Sequence, residues 1–360
     1  MSKITIVGAG NVGTQTAVHC ALKGYNVKIF TSNYKKINSK LYIVDEESSL
    51  IYSASIAGAT DNIKEAFEEA DIVFVTVPAM IMKNVADKIK DYANDKMKIC
   101  LLPGIGGAEW AFKECIERGA TVFGLQRVPS VARLIEYGKK VKAVGYRNEL
   151  FAAAIPKKET AKCCKIIENI FDIKTFPLPN YFNITLTPSN PILHTTRLKT
   201  IFRNYSDGIV YENVPLFYED WDDKSSELLL KCDNEVQKIC SKLNKLDLSY
   251  VKSLKEHYNS FSVRDMTEKI SSIKSFKGLK SPTVERDNGL IPDFNSRYFT
   301  ADFPYGLSIL VQIANYAGIE VPNMTQTLDW YHNVTGNEKD FDFKYYGVDC
   351  IEKLEELYML

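Results

Sequence analysis

An excess of charge of either sign is missing from this chain. Across 360 residues, 45 Lys and Arg balance 45 Asp and Glu, so no surface-wide field selects nucleic acid or an anionic membrane as partner. No run of about 20 apolar residues is present, and no membrane span is expected. The apolar residues 3–7 flow into a glycine-rich turn with no cleavage-type segment, so they read as a strand and not as an export signal. Eight cysteines (20, 100, 115, 163, 164, 232, 240, 350) form no C-x-x-C pair and no tight Cys/His cluster. A metal site and a disulfide framework are therefore not expected. The economical reading is a reduced, cytoplasmic protein using its thiols as small apolar residues. Histidine is scarce: His19, His194, His257 and His332 are the four imidazoles available for proton transfer. Internal repeats and low-complexity tracts are also missing.

What is present is a change of pattern part-way along the chain. At ~100–200 residues per domain, this length suggests two domains. The first part alternates short β-branched runs with amphipathic stretches, the signature of an α/β fold with a doubly wound parallel sheet. Strands are expected at 3–7, 26–30, 71–77, 98–102 and 120–124, and helices at 11–23, 63–69, 79–92, 108–118 and 158–170. Segments 141–146 and 150–156 are expected to extend the far edge of the sheet, followed by a short strand at 174–177. After Pro179 the chain turns helical, at 225–243, 248–258, 263–270, 306–317 and 351–357, with 276–297 read as a loop. The boundaries are 1–183 for a Rossmann-type domain and 184–360 for a helical domain, with the active cleft expected between them.

The strand at 3–7 runs directly into Gly8-Ala9-Gly10-Asn11-Val12-Gly13, and a helix follows. In that context G-x-G-x-x-G is a strong dinucleotide signature. Gly8 permits the tight turn, Gly10 lets backbone approach a pyrophosphate, and Gly13 allows close helix–strand packing. The N–H groups of Asn11 and Val12 at the helix start face the anion. An NAD-preferring site usually carries Asp or Glu at the end of the second strand. Here that end reads Thr31-Ser32-Asn33-Tyr34-Lys35-Lys36, with no acid before Asp45. Hydroxyls, an amide and lysines accommodate a 2′-phosphate, so NADP(H) is the preferred cofactor. NAD(H) bound through Asn33, with the lysines a solvated loop, stays open. Val77-Pro78, after the next strand, is placed to line the nicotinamide ribose. The glycines of Pro103-Gly104-Ile105-Gly106-Gly107 either leave room for cofactor or substrate or make an ordinary turn.

Of the four histidines, His194 stands apart. It follows Thr187-Pro188-Ser189-Asn190-Pro191, where the helical domain begins, and Asn190 shares its helix face at i, i+4. An amide beside an imidazole can bind a carbonyl or carboxylate while the imidazole transfers protons; a structural histidine at a helix start is the other reading. Far downstream lies Arg297-Tyr298-Phe299-Thr300-Ala301-Asp302-Phe303-Pro304-Tyr305-Gly306. Asp302 bonded to one imidazole nitrogen would fix the tautomer and leave the other nitrogen for substrate. Arg297 offers a forked donor for a carboxylate. Against this, Arg297 and Asp302 could pair with each other on a surface loop at little energetic consequence.

Asn190-x-x-x-His194 together with Arg297-Tyr298-Phe299-Thr300-x-Asp302-x-Pro304-Tyr305-Gly306 resembles the opine dehydrogenases, the octopine/nopaline dehydrogenase family. The separation of His194 from Asp302 fits, as does Gly124-Leu125-Gln126-Arg127-Val128-Pro129 followed by Arg133. Ala301 departs from the pattern, since relatives often carry an acid there. The resemblance covers nearly the whole chain and implies a Rossmann domain followed by an all-α opine dehydrogenase-type domain. It implies NAD(P)H-dependent reductive condensation of an α-keto acid, pyruvate by default, with the amine of an amino acid. By the same resemblance His194 is general acid/base, Asp302 orients it, Asn190 holds the keto acid and Arg297 binds a carboxylate. Gln126 is a substrate-side candidate, with Arg133 behind it, and a homodimer is one assembly the family allows. Ketopantoate and glycerol-3-phosphate reductases resemble the chain through the Rossmann half but rely on a catalytic lysine, for which Lys199 is available. A non-catalytic dinucleotide sensor would bind cofactor without turnover.

Overall fold

Apolar runs buried along their whole length set the first layer. The protein is described by a computed structural model covering every residue except Met1, Ile105, Asn288 and Glu338. Six strands pair in parallel in the order β5-β2-β1-β6-β7-β8. They are β1 (Lys3–Val7), β2 (Asn26–Phe30), β5 (Gly58–Thr60), β6 (Ile72–Val75), β7 (Lys98–Leu101) and β8 (Thr121–Leu125). This is the doubly wound order expected of a dinucleotide fold. β6 is buried at all four positions, as a strand covered on both faces should be. At the far edge β11 (Glu149–Ile155) pairs antiparallel with β8, and β12 (Lys174–Pro177) pairs parallel with β11. The edge strands anticipated at 150–156 and 174–177 are thus in place.

The segment expected at 141–146 is not at that edge. It forms β10 (Lys140–Val144) of a separate sheet ordered β4-β3-β10-β9, with β3 (Lys40–Asp45), β4 (Ile51–Ser55) and β9 (Val131–Glu136). Burial alternates along β10 and β3, so this sheet buries one face only. Leu41, Ile43, Val141 and Ala143 pack in one cluster with Ala17 and Val18 of the helix Asn11–Leu22. A half-buried strand belongs on such a one-sided layer and would expose polar residues inside a sheet covered on both faces.

The chain divides into two compact units, one running to Thr185 and including Glu356–Leu360, the other Leu186–Glu355. Among its described residues the second unit is helical apart from one hairpin, β13 (Thr283–Arg286) and β14 (Gly289–Pro292), with Tyr211 bridged to Leu290, which corrects the loop expected at 276–297. The helix expected at 248–258 shrinks to Leu254–Tyr258, because Ser253 and Glu256 form a capping box that starts it there. A helix at Pro322–Thr335, not anticipated, begins on Pro322 and on the buried Glu235 carboxylate. Glu235 accepts from the Asn323 and Met324 N–H groups at 2.8 and 2.9 Å, placing negative charge at the positive end of the helix dipole. Among the described residues no helix is long and apolar enough to cross a membrane.

Candidate active site

The glycine turn after β1 has the geometry its sequence called for. Gly8 sits at φ +101°, a conformation L side chains rarely adopt. A Cβ on Gly13 would lie 2.0 Å from the Gly8 carbonyl oxygen, whereas one on Gly10 would meet nothing within 4 Å. Close packing therefore requires Gly13, and the open space beside Gly10 suits a pyrophosphate. Gly10 caps the helix Asn11–Leu22 without a side-chain bond, so the first-turn N–H groups are available to an anion. Val77 borders the turn, its Cγ1 3.0 Å from where a Gly8 Cβ would stand, and Pro78 follows it at the surface. The Asn11 side chain serves the fold, since its Oδ1 accepts the Leu134 N–H of β9 at 2.7 Å and so ties the second sheet to the turn.

At the end of β2, Ser32, Asn33, Lys35 and Lys36 are exposed and Thr31 is half-buried. The Asn33 N–H donates to Thr31 Oγ1 at 3.3 Å, and the Tyr137 hydroxyl lies 3.4 Å from the same oxygen. Tyr137 comes from the turn between β9 and β10, and no local pattern in the sequence announces it here. Gln126 follows β8, its N–H on the Phe151 carbonyl at 2.9 Å. Arg133 lies on β9 with its guanidinium on the Ala132 carbonyl, and no acid partners it among the described residues. The glycine loop after β7 corrects an expectation. A Cβ on Gly104 would come within 2.7 Å of Ile184, and one on Gly106 within 2.9 Å of the Thr185 carbonyl. These two glycines serve the chain's own packing; Ile105 between them lies outside the described residues.

In the helical unit, Pro191 in the first turn starts the helix Asn190–Ile201, which carries His194. His194 is 3% exposed, and its Nδ1 lies 2.7 Å from Asp302 Oδ2, so two segments 108 residues apart meet at one hydrogen bond. What aligns them is the turn after Asp302. A Cβ on Gly306 would lie 3.0 Å from Pro191, so this turn seats directly on the start of the His194 helix. Because an ionised carboxylate only accepts, Asp302 accepts the hydrogen bond from Nδ1–H, and in the neutral ring Nε2 carries the lone pair.

The other ring nitrogen is not open, contrary to expectation. The Tyr218 hydroxyl lies 2.7 Å from Nε2. Phe217 and Tyr298 close on the ring edge-to-face at 5.5 and 4.7 Å. Burial, then the neighbouring Tyr298, Tyr258 and Asp302, push the Tyr218 hydroxyl well above the usual phenol range, with Arg297 acting in the opposite sense. Tyr218 lies in the cluster Phe217, Tyr218, Trp221, whose only trace in the sequence is aromatic density with no diagnostic spacing. Asn190 and Arg297 are both exposed, and neither side chain bonds a described residue. The alternative Arg297–Asp302 surface pair does not form.

The remaining candidates fall away on geometry. Five residues at about 100° each carry Lys199 to the other side of the helix from His194, where its Nζ lies 3.4 Å from Thr327 Oγ1. Burial pushes its pKa down. His19 packs under the second sheet, Nε2 3.1 Å from the Tyr146 hydroxyl, and burial pulls its pKa down to about 4. His332 pairs with Asp340 at 2.9 Å, a neighbour that its sequence surroundings do not single out.

Comparison with known proteins agrees with this division. Residues 177–335 match the family model "NAD/NADP octopine/nopaline dehydrogenase, alpha-helical domain". Residues 3–118 match "NAD-dependent glycerol-3-phosphate dehydrogenase N-terminus". Octopine dehydrogenase of Pecten maximus is 28% identical over 301 residues, 79% of this chain and 75% of that protein. A solved octopine dehydrogenase with NADH and pyruvate superposes with a TM-score of 0.86 at 22% identity, covering 98% of each chain. A yersinopine dehydrogenase with NADP+ gives 0.69 at 12% identity, covering 100% of this chain and 98% of that one. With its glycine turn, its helical domain and these relatives in view, the chain is an NAD(P)-dependent dehydrogenase that is similar over most of its length to the opine dehydrogenases.

Proposed function

We propose that this enzyme condenses an α-keto acid of pyruvate type with the amine of an amino acid and reduces the resulting imine to a secondary amine. The observation that carries the reading is the 2.7 Å bond between His194 and Asp302, an oriented and desolvated proton acceptor in the domain the family uses for substrate. His194 takes the two amine protons in turn, one as the amine attacks the keto carbon and one as the C=N bond forms, and returns both to the oxygen that leaves as water. Asp302 holds the ring in one tautomer. Arg297, an exposed guanidinium without a protein partner among the described residues, suits a substrate carboxylate, and Asn190, one helical turn before His194, suits the keto acid. Gln126 is the substrate-side candidate from the first unit. A nicotinamide dinucleotide held at Gly8, Gly10, Asn11, Val12 and Gly13 supplies the hydride, with Val77 and Pro78 at its ribose.

The lack of an acid at Thr31-Ser32-Asn33, with Lys35 and Lys36 beside them, favours NADP(H) over NAD(H). Comparing kcat/KM for the two reduced cofactors tests this, and a clear NADH preference would reverse it. The reaction is tested by a matrix of keto acids against amino donors, following NADPH absorbance and identifying the product by mass. A pair that consumes NADPH and yields the secondary amine is expected; consumption by a keto acid alone, giving a hydroxy acid, would favour a plain ketoacid reductase. The reductase reading lacks its lysine, since Lys199 faces away from His194.

A further inference from the structure

His194 cannot reach a substrate with its own nitrogens as the protein stands. Nδ1 is bonded to Asp302 and Nε2 to Tyr218, each at 2.7 Å, and the ring is 3% exposed. A proton entering or leaving Nε2 must therefore pass through the Tyr218 hydroxyl, or that hydroxyl must move aside. The build of the segment argues for passage. Arg197, one turn along the same helix and 1% exposed, donates to the Leu216, Phe217 and Asp220 carbonyls at 3.2, 3.0 and 2.6 Å. Its remaining arm donates to Ser225 Oγ at 2.9 Å, and its guanidinium lies 5.3 Å from the Trp221 ring centre. The Asp220 carboxylate closes the segment by accepting the Leu216 N–H at 2.7 Å. The Tyr218 ring itself stacks on Phe276 at 4.3 Å. A buried arginine spent on three carbonyls of one short segment holds that segment in register with the helix that carries His194.

We propose that Tyr218 is a further catalytic residue, the hydroxyl through which His194 exchanges protons with the reacting group. The inference rests on the condensation reading above. As the amine adds to the keto carbon, its N–H proton passes to the Tyr218 oxygen while the Tyr218 proton moves to Nε2, leaving a neutral tyrosine and an imidazolium. The alkoxide oxygen of the adduct then takes the Tyr218 proton and the imidazolium restores it, giving the neutral hydroxyl adduct. In a second pass the remaining N–H proton travels the same route as the nitrogen lone pair forms the C=N bond; the carbon–oxygen electron pair stays on oxygen, which takes that second proton through Tyr218 and leaves as water. No charge stays on the phenol, in keeping with a buried hydroxyl that resists ionisation. A hydroxyl is suited to this place because it donates to a bare nitrogen and accepts from a protonated one.

The test compares wild type, Tyr218→Phe and His194→Ala with a substrate pair on which wild type is active. Tyr218→Phe is expected to lose about 10²–10⁴-fold in kcat, approaching His194→Ala, with the dissociation constant for NADPH unchanged. Because the ring could merely prop His194, a second enzyme carries 3-fluorotyrosine at position 218, which keeps shape and alters hydroxyl acidity. Transfer through the hydroxyl makes its kcat and the pH profile of kcat shift from wild type; a prop leaves both unchanged and overturns the proposal. Tyr218→Phe with kcat equal to or above wild type also overturns it, since the hydroxyl would then be a cap that swings away. If Tyr218→Phe is active while His194→Ala is not, the relay fails and the condensation reading stands. If His194→Ala is as active as wild type, that reading fails with it.

Discussion

His194 and His332 each lie within hydrogen-bond distance of an aspartate, at 2.7 and 2.9 Å, and both pairs belong to the helical unit. Their surroundings differ. Asp302 reaches His194 from 108 residues away in sequence, Tyr218 takes the other nitrogen, and three aromatic rings pack around the imidazole. Asp340 is eight residues from His332, and that imidazole is 34% exposed with its other nitrogen bonded to no described residue. His19, in the first unit, supplies a third case: a tyrosine hydroxyl at 3.1 Å but, among the described residues, no carboxylate hydrogen-bonded to its ring. Of these three rings, only that of His194 has both a carboxylate and a tyrosine hydroxyl beside it among the described residues and is removed from water, which is why the proposed proton transfer is assigned to it.

The sharpest way to break the comparison is to delete each imidazole. His194→Ala and Asp302→Asn should each lower kcat by about 10²–10⁴-fold with cofactor affinity retained, while His332→Ala and Asp340→Asn should change it by no more than about threefold. Equal losses at the two pairs in steady-state assays would erase the distinction. Next in size is a pH effect at His19. Its folded-state pKa of about 4 lies below its ordinary 6.5, so the neutral ring's contribution to stability is complete above pH 6.5 and is lost as pH falls from 6.5 through 4. The loss is at most on the order of 3 kcal/mol, and His19→Gln should flatten Tm against pH over that window. A pH dependence unchanged by the substitution would mean the acid sensitivity lies elsewhere. Gly306→Ala is smaller: a methyl 3.0 Å from Pro191 displaces the Asp302 turn by a few tenths of an ångström, for an expected loss of about 3- to 10-fold in kcat. Smallest is the stability of the half-buried His332–Asp340 pair, where His332→Ala should cost about 1 kcal/mol in urea unfolding, diminishing with added salt.

What could be read without coordinates follows the distance over which each feature is decided. β1, the glycine turn and the helix after it are set by neighbours, and Gly8 and Gly13 declare their roles within six residues. The His194–Asp302 meeting was legible because each end sits in a dense, distinctive segment. The second sheet was not, because β10 pairs with β3 across about 100 residues and neither strand's alternation says which sheet it will join. Tyr218 escaped for a related reason. Its position depends on Arg197 gripping residues 216–220, and nothing in an arginine three residues after a histidine marks it as a clamp. Gly104 and Gly106 misled in the opposite direction: glycines required by packing and glycines cleared for a ligand look alike in one dimension.

Tyr358 belongs to the first unit, although about 170 residues of the other unit separate it from Thr185. Its hydroxyl donates to the buried Glu109 carboxyl at 2.6 Å and accepts the Trp110 indole N–H at 2.9 Å, and its ring stacks on Phe182 at 4.2 Å. During synthesis the nucleotide-binding unit therefore cannot be finished when its own main stretch has emerged from the ribosome. Glu109, whose pKa burial pushes up to about 7, waits with an incomplete set of partners until residues 356–360 exist. A fragment cut after Thr185 would carry the whole glycine turn yet lack the group that closes this buried cluster.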